Sequence, residues 1–200
     1  MIHLIIILAS IVFFALYIND LRKEKLTTKM IVTIALFSGI SLILSMIQLI
    51  KYPQGGGINL LSMLPTMLLS ILYGKTIGLT GGLIFGLLRL LEGAYVIHPA
   101  QFILDYMIAS MLLGTAGIFG RDKKYKIIMG CLLAVFLSTF ISVLSGCIYF
   151  PEYAPEGMNV FVYSLVYNFS SLGIEGLLST IVIAILPLKR FAKELKIFNN

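Results

Sequence analysis

The stretch that decides the fold is residues 127–149, which read IIMGCLLAVFLSTFISVLSGCIY. These 23 residues include no charged side chain. At a rise of 1.5 Å per residue, a helix of this length measures about 34 Å, enough to cross the roughly 30 Å hydrocarbon core of a bilayer. The segment therefore predicts a membrane-spanning helix.

Six other apolar stretches accompany it, at about 2–18, 29–50, 58–73, 76–92, 99–119 and 159–187. The whole chain is 59% hydrophobic and 12% charged, whereas soluble domains are about 45–50% apolar and about 25% charged. We therefore expect an all-α integral membrane protein, with an accessory N-terminal transmembrane helix at 1–20 and a six-helix substrate-binding domain at 29–190. Too little chain remains for a soluble catalytic domain.

The first apolar stretch also has the length of a secretory signal peptide. It lacks a basic region ahead of it and a clear small-residue cleavage site, and basic residues follow it at Arg22, Lys23 and Lys25. This order is typical of a helix that stays in the membrane. We therefore predict a retained helix.

The net charge of +6 is distributed in a way that predicts topology rather than a nucleic-acid partner. Basic residues cluster in alternate connections, and the positive-inside rule places such connections in the cytoplasm. We expect the protein in the cell membrane, as a multi-pass protein with a cytoplasmic C-terminus. The residues are Arg22, Lys23, Lys25 and Lys29, then Lys75, then Arg121, Lys123, Lys124 and Lys126, and finally Lys189, Arg190, Lys193 and Lys196.

An acidic residue, Asp105, falls inside a predicted spanning helix. Pro99 suits the first turn of that helix, so Asp105 lies about 9 Å below its outer end, with Gln101 one turn above on the same face. Ionisable residues at membrane depth are costly and usually line a cavity or pair with another charge. Two interpretations remain: a carboxylate that contacts a ligand, or one that pairs with Arg89.

Polar side chains also recur three or four residues apart on three predicted helices, so each set shares one helix face. Two aligned stripes, one ending in Asn and Glu, predict a shared wet cavity or an interhelical hydrogen-bond network. The sets are Asn59, Ser62, Thr66 and Ser70, then Ser138, Ser142, Ser145 and Tyr149, and then Ser164, Asn168, Ser171 and Glu175.

Aromatic residues gather at the predicted outer ends of the last three helices. Aromatic belts occur at any membrane interface, but rings above a buried acid also suit a flat cationic ligand. The residues are Tyr95, Tyr106, Tyr149, Phe150, Tyr153 and Tyr163.

Small residues and turn residues mark further features. Gly78, Gly82 and Gly86 recur every fourth residue, which predicts close helix packing within the bundle or a docking face for a partner.

Two connections have an unusual composition. The glycine-rich run Tyr52–Gly57 predicts a turn or lid, and the loop Phe150–Gly157 carries two prolines and two acids.

Several kinds of catalytic and redox site are excluded by the sequence. Gly74-Lys75-Thr76 lacks the upstream glycine of a phosphate-binding loop, because position 69 is leucine. The two histidines, His3 and His98, form no metal or nucleophile motif, and we expect no cofactor, no metal and no enzymatic activity. The two cysteines, 131 and 147, are about 24 Å apart on one helix, which is too far for a disulfide.

Taken together, several short runs resemble the thiamine-specific S component of energy-coupling-factor transporters. The resemblance covers roughly residues 29–187 and excludes the first helix. The runs are Tyr52-Pro-Gln-Gly-Gly-Gly57, Met63-Leu-Pro65, His98-Pro-Ala-Gln-Phe-Ile-Leu-Asp-Tyr106, Gly114-Thr-Ala-Gly117, Gly146-Cys-Ile-Tyr-Phe150, Tyr153-Ala-Pro-Glu-Gly157 and Tyr163-Ser-Leu-Val-Tyr-Asn168.

This resemblance implies a six-helix subunit that binds thiamine near the outer face. It would topple in the bilayer against a transmembrane coupling subunit driven by two cytoplasmic ATPases. Small residues on the first core helix, here Ala35 and Gly39, would meet that partner. The implied pocket comprises Tyr95, Asp105, Tyr106, Phe150, Tyr163 and Asn168, and we add Ser142 to these as the seventh predicted site residue.

The sequence departs from the family pattern at three of these positions. Ser142 stands where the family typically has a histidine, position 105 is aspartate where a glutamate can stand, and position 150 is phenylalanine rather than tryptophan. The alternatives that we retain are an S component for a related heterocycle, a membrane enzyme acting on a lipid, and a structural subunit without a ligand.

Overall fold

The computed structural model describes residues 2–93 and 95–194, and it is built almost entirely from helices. Lys196, one of the basic residues of the predicted tail, lies outside the described residues. The helices are α1 (Ile2–Leu21), α2 (Thr28–Ser45), α3 (Met63–Tyr73), α4 (Lys75–Leu88), α5 (Pro99–Phe102), α6 (Ala109–Leu112), α7 (Lys124–Tyr149), α8 (Val160–Asn168), α9 (Ile174–Ile185) and α10 (Leu188–Glu194).

Several of these helices merge into longer runs. A π-helical segment, Ile103–Ile108, joins α5 to α6, and a second one, Phe169–Gly173, joins α8 to α9. Short 3-10 turns cover Arg89–Glu92, Leu113–Thr115 and Pro151–Tyr153. Within the described ranges, four helical runs are long and apolar enough to cross a membrane, namely Ile2–Leu21, Thr28–Ser45, Lys124–Tyr149 and Val160–Ile185.

The segment between α2 and α3 differs from the prediction, which continued one helix to residue 50 and began the next at 58. It forms a hairpin in which β1 (Gln48–Lys51) pairs antiparallel with β2 (Gly57–Asn59). Gly55, at φ +91° in the connecting turn, has a backbone conformation that favours glycine. The predicted turn at Tyr52–Gly57 is therefore confirmed, but its flanks are strands because short apolar runs do not distinguish strand from helix.

The glycines of α4 pack against another helix of the bundle. A Cβ at Gly78, Gly82 or Gly86 would meet the backbone carbonyl oxygen of Gly114, Ser110 or Tyr106, respectively. These carbonyls are also spaced by four residues, so two regular rows face each other. The structure thus confirms packing within the bundle for this face.

The first helix, α1, lies against the bundle and makes specific contacts with it. The hydroxyl of Tyr17 is 2.9 Å from Thr80 Oγ1 on α4, and Lys75 Nζ is 3.0 Å from Asp20 Oδ2. Phe13 and Phe14 pack into hydrophobic clusters with buried residues of other helices. Many other apolar side chains of α1 are exposed, as expected for a helix that faces lipid on one side.

The hydrophobic core lies among α3, α7 and α9. Its buried members include Met67, Ile71, Cys131 and Ile183. Cys131 and Cys147 are both free, in agreement with their predicted separation along one helix.

The glycine packing predicts that α4 does not tolerate a single methyl group at Gly86. We expect Gly86→Ala to lower the free energy of unfolding by about 1–3 kcal/mol, since the added Cβ meets the backbone of Tyr106. Gly39→Ala is the matched control, because nothing lies within 4 Å of a Cβ there. Thermal unfolding in detergent measures both variants, and equal melting temperatures would contradict the close approach of these helices.

Candidate functional site

A cavity of about 680 Å³ opens between the hairpin, the end of α4 and the helices α5, α7 and α8. All seven residues that the sequence predicted for the ligand site line it. They are Tyr95, Asp105, Tyr106, Ser142, Phe150, Tyr163 and Asn168. The structure thus brings together residues that are up to 73 positions apart in the sequence.

Asp105 is held in place by two hydrogen bonds to the same carboxylate oxygen. Gln101 Nε2 and Ser145 Oγ each donate to Asp105 Oδ2 at 2.8 Å. Gln101 is itself buried, and its Oε1 accepts a hydrogen bond from the backbone N–H of Ile97 at 3.3 Å. The carboxylate is therefore anchored on one oxygen while its residue lines the cavity.

The alternative in which Asp105 is locked onto Arg89 is not what the structure shows. Among the described residues, no ion pair within 4.0 Å joins the two side chains. Arg89 Nε is instead 3.9 Å from Glu92 Oε2, and its guanidinium lies 5.6 Å from the centre of the Tyr106 ring. Arg89 also lines the cavity, so the lining does contain one basic group.

Aromatic rings line the cavity in two groups. The ring of Phe150 lies 6.2 Å from that of Tyr95 and 5.8 Å from that of Tyr153. Tyr95 is 64% exposed, which puts this group at the mouth. Deeper in the bundle, the rings of Tyr163 and Tyr167 stack with their centres 5.9 Å apart. The cavity therefore offers flat apolar surfaces to a ligand.

The polar stripes on α7 and α8 contribute to the cavity wall only in part. Ser142 donates a long hydrogen bond of 3.4 Å to the carbonyl of Ser138 in its own helix. Asn168 Nδ2 donates to the carbonyl of Ser164 at 2.9 Å. Tyr149, the last member of the α7 stripe, lies outside the cavity lining and contacts α1 instead.

Three buried polar atoms of the cavity wall lack a hydrogen-bond partner within the part of the chain that the structure describes. They are Tyr163 OH, Asn59 Oδ1 and Arg89 Nε. Most buried polar groups in proteins are hydrogen-bonded, so each exception requires an explanation. All three residues line one cavity, and their side chains would have to shift before these atoms could bond to a molecule bound there.

Glu92 and Tyr167 are among the cavity residues that sequence reasoning missed. Glu92 was assigned to the end of a helix, but it lines the cavity and accepts a hydrogen bond from Ser45 Oγ. Tyr167 is four residues after Tyr163, and this helical spacing could have identified it. With Asp105 and Glu92 against Arg89, carboxylates outnumber basic groups in the lining.

The second buried acid, Glu175, has a different place. It is fully buried and accepts hydrogen bonds from the backbone N–H of Asn59 at 3.2 Å and from both the N–H and the hydroxyl of Ser62, at 2.7 and 2.6 Å. This carboxylate holds the end of the hairpin and the start of α3. The network interpretation therefore applies to this part of the stripe.

The residues predicted to meet a partner lie on the outer surface of α2. Ala35 is exposed, and the space beside Gly39 is open. Leu36 and Ile43 on the same helix are 60% and 61% exposed. This surface is apolar and accessible from outside the bundle.

Comparison with known proteins gives a consistent result. Residues 31–195 match the model of the family described as thiamine transporter protein (Thia_YuaJ). The chain belongs to this family. The matched range starts within α2, so α1 precedes it.

Individual relatives cover most of the chain. It is 31% identical over 171 residues to thiamine transporter ThiT of Bacillus subtilis, a match that covers 78% of this chain and 88% of that protein. It is 30% identical over 158 residues to thiamine transporter ThiT of Lacticaseibacillus paracasei, covering 69% and 79%. A solved structure of ThiT from Listeria monocytogenes superimposes with a TM-score of 0.71 at 28% identity, covering 82% of this chain and 95% of that one.

These matches confirm the predicted family and the predicted all-α membrane fold. The family is one of transporters and is not enzymatic, so the hypothesis of a lipid-modifying enzyme is dropped. The apolar helices and the family together identify a multi-pass membrane protein.

The contacts of Glu175 predict a large structural effect of its removal. We expect Glu175→Gln to lower the free energy of unfolding by about 1–3 kcal/mol, because an amide cannot accept all three hydrogen bonds at this buried position. Glu156→Gln, in the exposed loop before α8, is the matched control. Thermal unfolding in detergent provides the comparison, and a Glu175→Gln protein as stable as the control would show that these bonds do not hold the hairpin.

Proposed function

We propose that this chain is the substrate-capture subunit, or S component, of an energy-coupling-factor transporter, and that it binds thiamine. The observation that carries the proposal is the cavity in which Asp105, held by Gln101 and Ser145, faces a wall of aromatic rings. The family match and the names of the relatives support the same ligand.

The chemistry of thiamine suits this lining. Its aminopyrimidine has an N–H group that donates to Asp105, and its two flat rings stack on Tyr95, Phe150 and Tyr163. Asn168 binds a polar edge of the ligand, and the buried hydroxyl of Tyr163 has no other hydrogen-bond partner among the described residues. Tyr106 completes the wall beside Asp105, and Ser142 leaves room where a larger residue would stand.

Electrostatics favour the same class of ligand. The thiazolium ring carries a positive charge, and the lining offers two carboxylates, Asp105 and Glu92, against the single guanidinium of Arg89. Aromatic faces also attract cations, most strongly when both are shielded from water. The cavity therefore selects a small, flat cation over an anion.

For delivery, the substrate-loaded subunit topples in the bilayer against a transmembrane coupling subunit driven by two cytoplasmic ATPases. Ala35 and Gly39 on α2 form the docking surface, since small residues let two helices approach closely in lipid. In this arrangement residues 29–190 form the substrate-binding domain, and residues 1–20 form an accessory transmembrane helix.

The orientation that we propose places the cavity outside and the C-terminus in the cytoplasm. Lys75, which pairs with Asp20 at the end of α1, and Lys126, which pairs with Asp122, belong to the basic connections. At the other end of α1, His3 contacts Tyr149, next to the cavity residue Phe150. The basic connections and the cavity mouth therefore lie at opposite ends of the bundle, as the positive-inside rule requires.

A second candidate ligand is a related heterocycle, such as a pyrimidine or thiazole precursor of thiamine. Ser142 favours it, because its hydroxyl bonds to its own helix and it provides no imidazole to the site. A smaller ligand loses less binding free energy from the missing imidazole than a ligand that fills the whole cavity.

Asp105→Asn tests the binding site. We expect wild-type protein in detergent to bind thiamine in isothermal titration calorimetry, and Asp105→Asn to weaken binding by about tenfold to a hundredfold, because a charge-assisted hydrogen bond is lost. Glu152→Gln, in the exposed loop, is the control and should bind as wild type does.

The same titration discriminates between the ligands. Folded wild-type protein that binds no thiamine would remove thiamine from the proposal. A thermal-shift screen that responds only to a precursor would then favour the related heterocycle.

Gly39→Leu tests the docking surface. We expect it to reduce uptake of labelled thiamine by cells at least about tenfold while thiamine binding by the purified subunit is unchanged, because a bulky side chain separates α2 from the coupling subunit. Ile181→Phe enlarges a similarly accessible residue, 55% exposed on α9, and serves as the control. Normal uptake by Gly39→Leu would place the docking surface elsewhere.

A further inference from the structure

Three rings at the outer end of the bundle connect α1 to the two segments that carry the cavity wall. His3 Nδ1 lies 3.0 Å from the hydroxyl of Tyr149. The His3 ring stacks on that of His98 with centres 4.5 Å apart, and the His98 ring stacks on that of Tyr149 at 5.4 Å. We refer to His3, His98 and Tyr149 as the outer ring cluster.

Two members of this cluster lie close in sequence to residues of the ligand site. His98 Nδ1 accepts the backbone N–H of Ala100 at 3.1 Å and so caps α5, the helix that carries Gln101 and leads into Asp105. Tyr149 is the last residue of α7 and directly precedes Phe150, which lines the cavity. A displacement of either residue is therefore passed on to the acid or to the ring that we propose to contact the ligand.

Packing beneath the cluster couples the same elements. Tyr149, which is 7% exposed, forms a buried group with Ala100 and Leu104, and Phe13 and Phe14 of α1 pack against it. The contact of α1 with the site is thus a packed interface and not a single surface hydrogen bond. The family match begins at residue 31, so it does not include this helix.

We propose that α1 is a working part of the substrate site and that His3 is a positioning residue. It holds the outer ends of α5 and α7 together, so that Asp105 and Phe150 are preorganised for the ligand and release of the ligand is slowed. Preorganised sites bind more tightly because less conformational freedom is lost on binding. This inference rests on the proposed function, since it names a residue that acts on the same site.

The first experiment compares affinity with stability for the full-length protein in detergent. We expect His3→Ala to weaken thiamine binding about threefold to tenfold, the size of one or two lost polar contacts, mainly through faster dissociation. His3→Asn places a polar atom where Nδ1 stands and should recover much of the loss.

Tyr17→Phe is the matched control. It removes the hydrogen bond to Thr80 near the other end of the same helix, so it should lower the melting temperature and leave the dissociation constant of thiamine unchanged. Unchanged affinity in His3→Ala, or equal weakening in Tyr17→Phe, would show that α1 only stabilises the bundle and would overturn the proposal. If His3→Ala does not fold, Tyr149→Phe replaces it, because this change removes only the hydroxyl that His3 contacts and should weaken thiamine binding in the same way.

The second experiment does not depend on the ligand. The chain has two histidines. A carbon–proton NMR spectrum of a protein with a histidine-free affinity tag therefore shows the imidazole signals of His3 and His98 alone. Because the two rings stack, we expect His3→Asn to change the chemical shifts of His98 in ligand-free protein. Thiamine should change the chemical shifts of both histidines in the wild type. Unshifted His98 signals would refute the cluster. If wild type binds no thiamine while the ligand-free shift is present, the proposed function fails and the cluster stands.

Discussion

The arrangement of the site depends on a carboxylate that the bundle buries completely. Glu175 receives three hydrogen bonds from Asn59 and Ser62, at the point where the hairpin ends and α3 begins. The first N–H groups of a helix have no partner within the helix, and lipid provides none. By satisfying donors at this junction, Glu175 allows an irregular segment to sit beside the cavity. The hairpin turn is then attached to the opposite wall, because Tyr167 OH accepts the N–H of Gly56 and Tyr52 OH donates to the carbonyl of Ser170.

Asp105 and Glu175 therefore have different tasks. Glu175 is enclosed by donors from its own protein, whereas Asp105 is bonded on one oxygen and its residue lines an open cavity. Both follow a polar residue one helical turn earlier, Gln101 before Asp105 and Ser171 before Glu175, and sequence spacing does not separate them. What separates them is their depth in the bundle. Asp105 lies near the N-terminal end of its helical run, whereas Glu175 lies seven residues beyond Asn168.

Much of the site could be predicted from the sequence, because helical periodicity and the quoted motifs place side chains on known faces. All seven predicted residues line one cavity, from Tyr95 to Asn168. The hairpin was not predicted, since Gln48–Lys51 and Gly57–Asn59 are short and their neighbours are apolar enough to read as helix ends. Glu92 and the contacts of His3 were missed for another reason: they depend on tertiary proximity, which one sequence does not encode in any local pattern.

The two π-helical segments affect how this protein is aligned with its relatives and what the deletion of a single residue does to it. A turn of this kind contains one residue more than an α-helical turn, and such turns are frequent at functional sites. The segment Ile103–Ile108 contains Asp105, and Phe169–Gly173 directly follows Asn168. Each extra residue rotates the following part of the helix relative to the preceding part. The N-terminal half can therefore line the cavity while the C-terminal half keeps its packing against α4 or α7. Loss of one residue in either segment would leave a regular helix of normal hydropathy and yet turn the two halves out of step by about 100°. An ungapped alignment with a relative that lacks one of these extra residues would accordingly match the lipid-facing side of one protein with the cavity-facing side of the other.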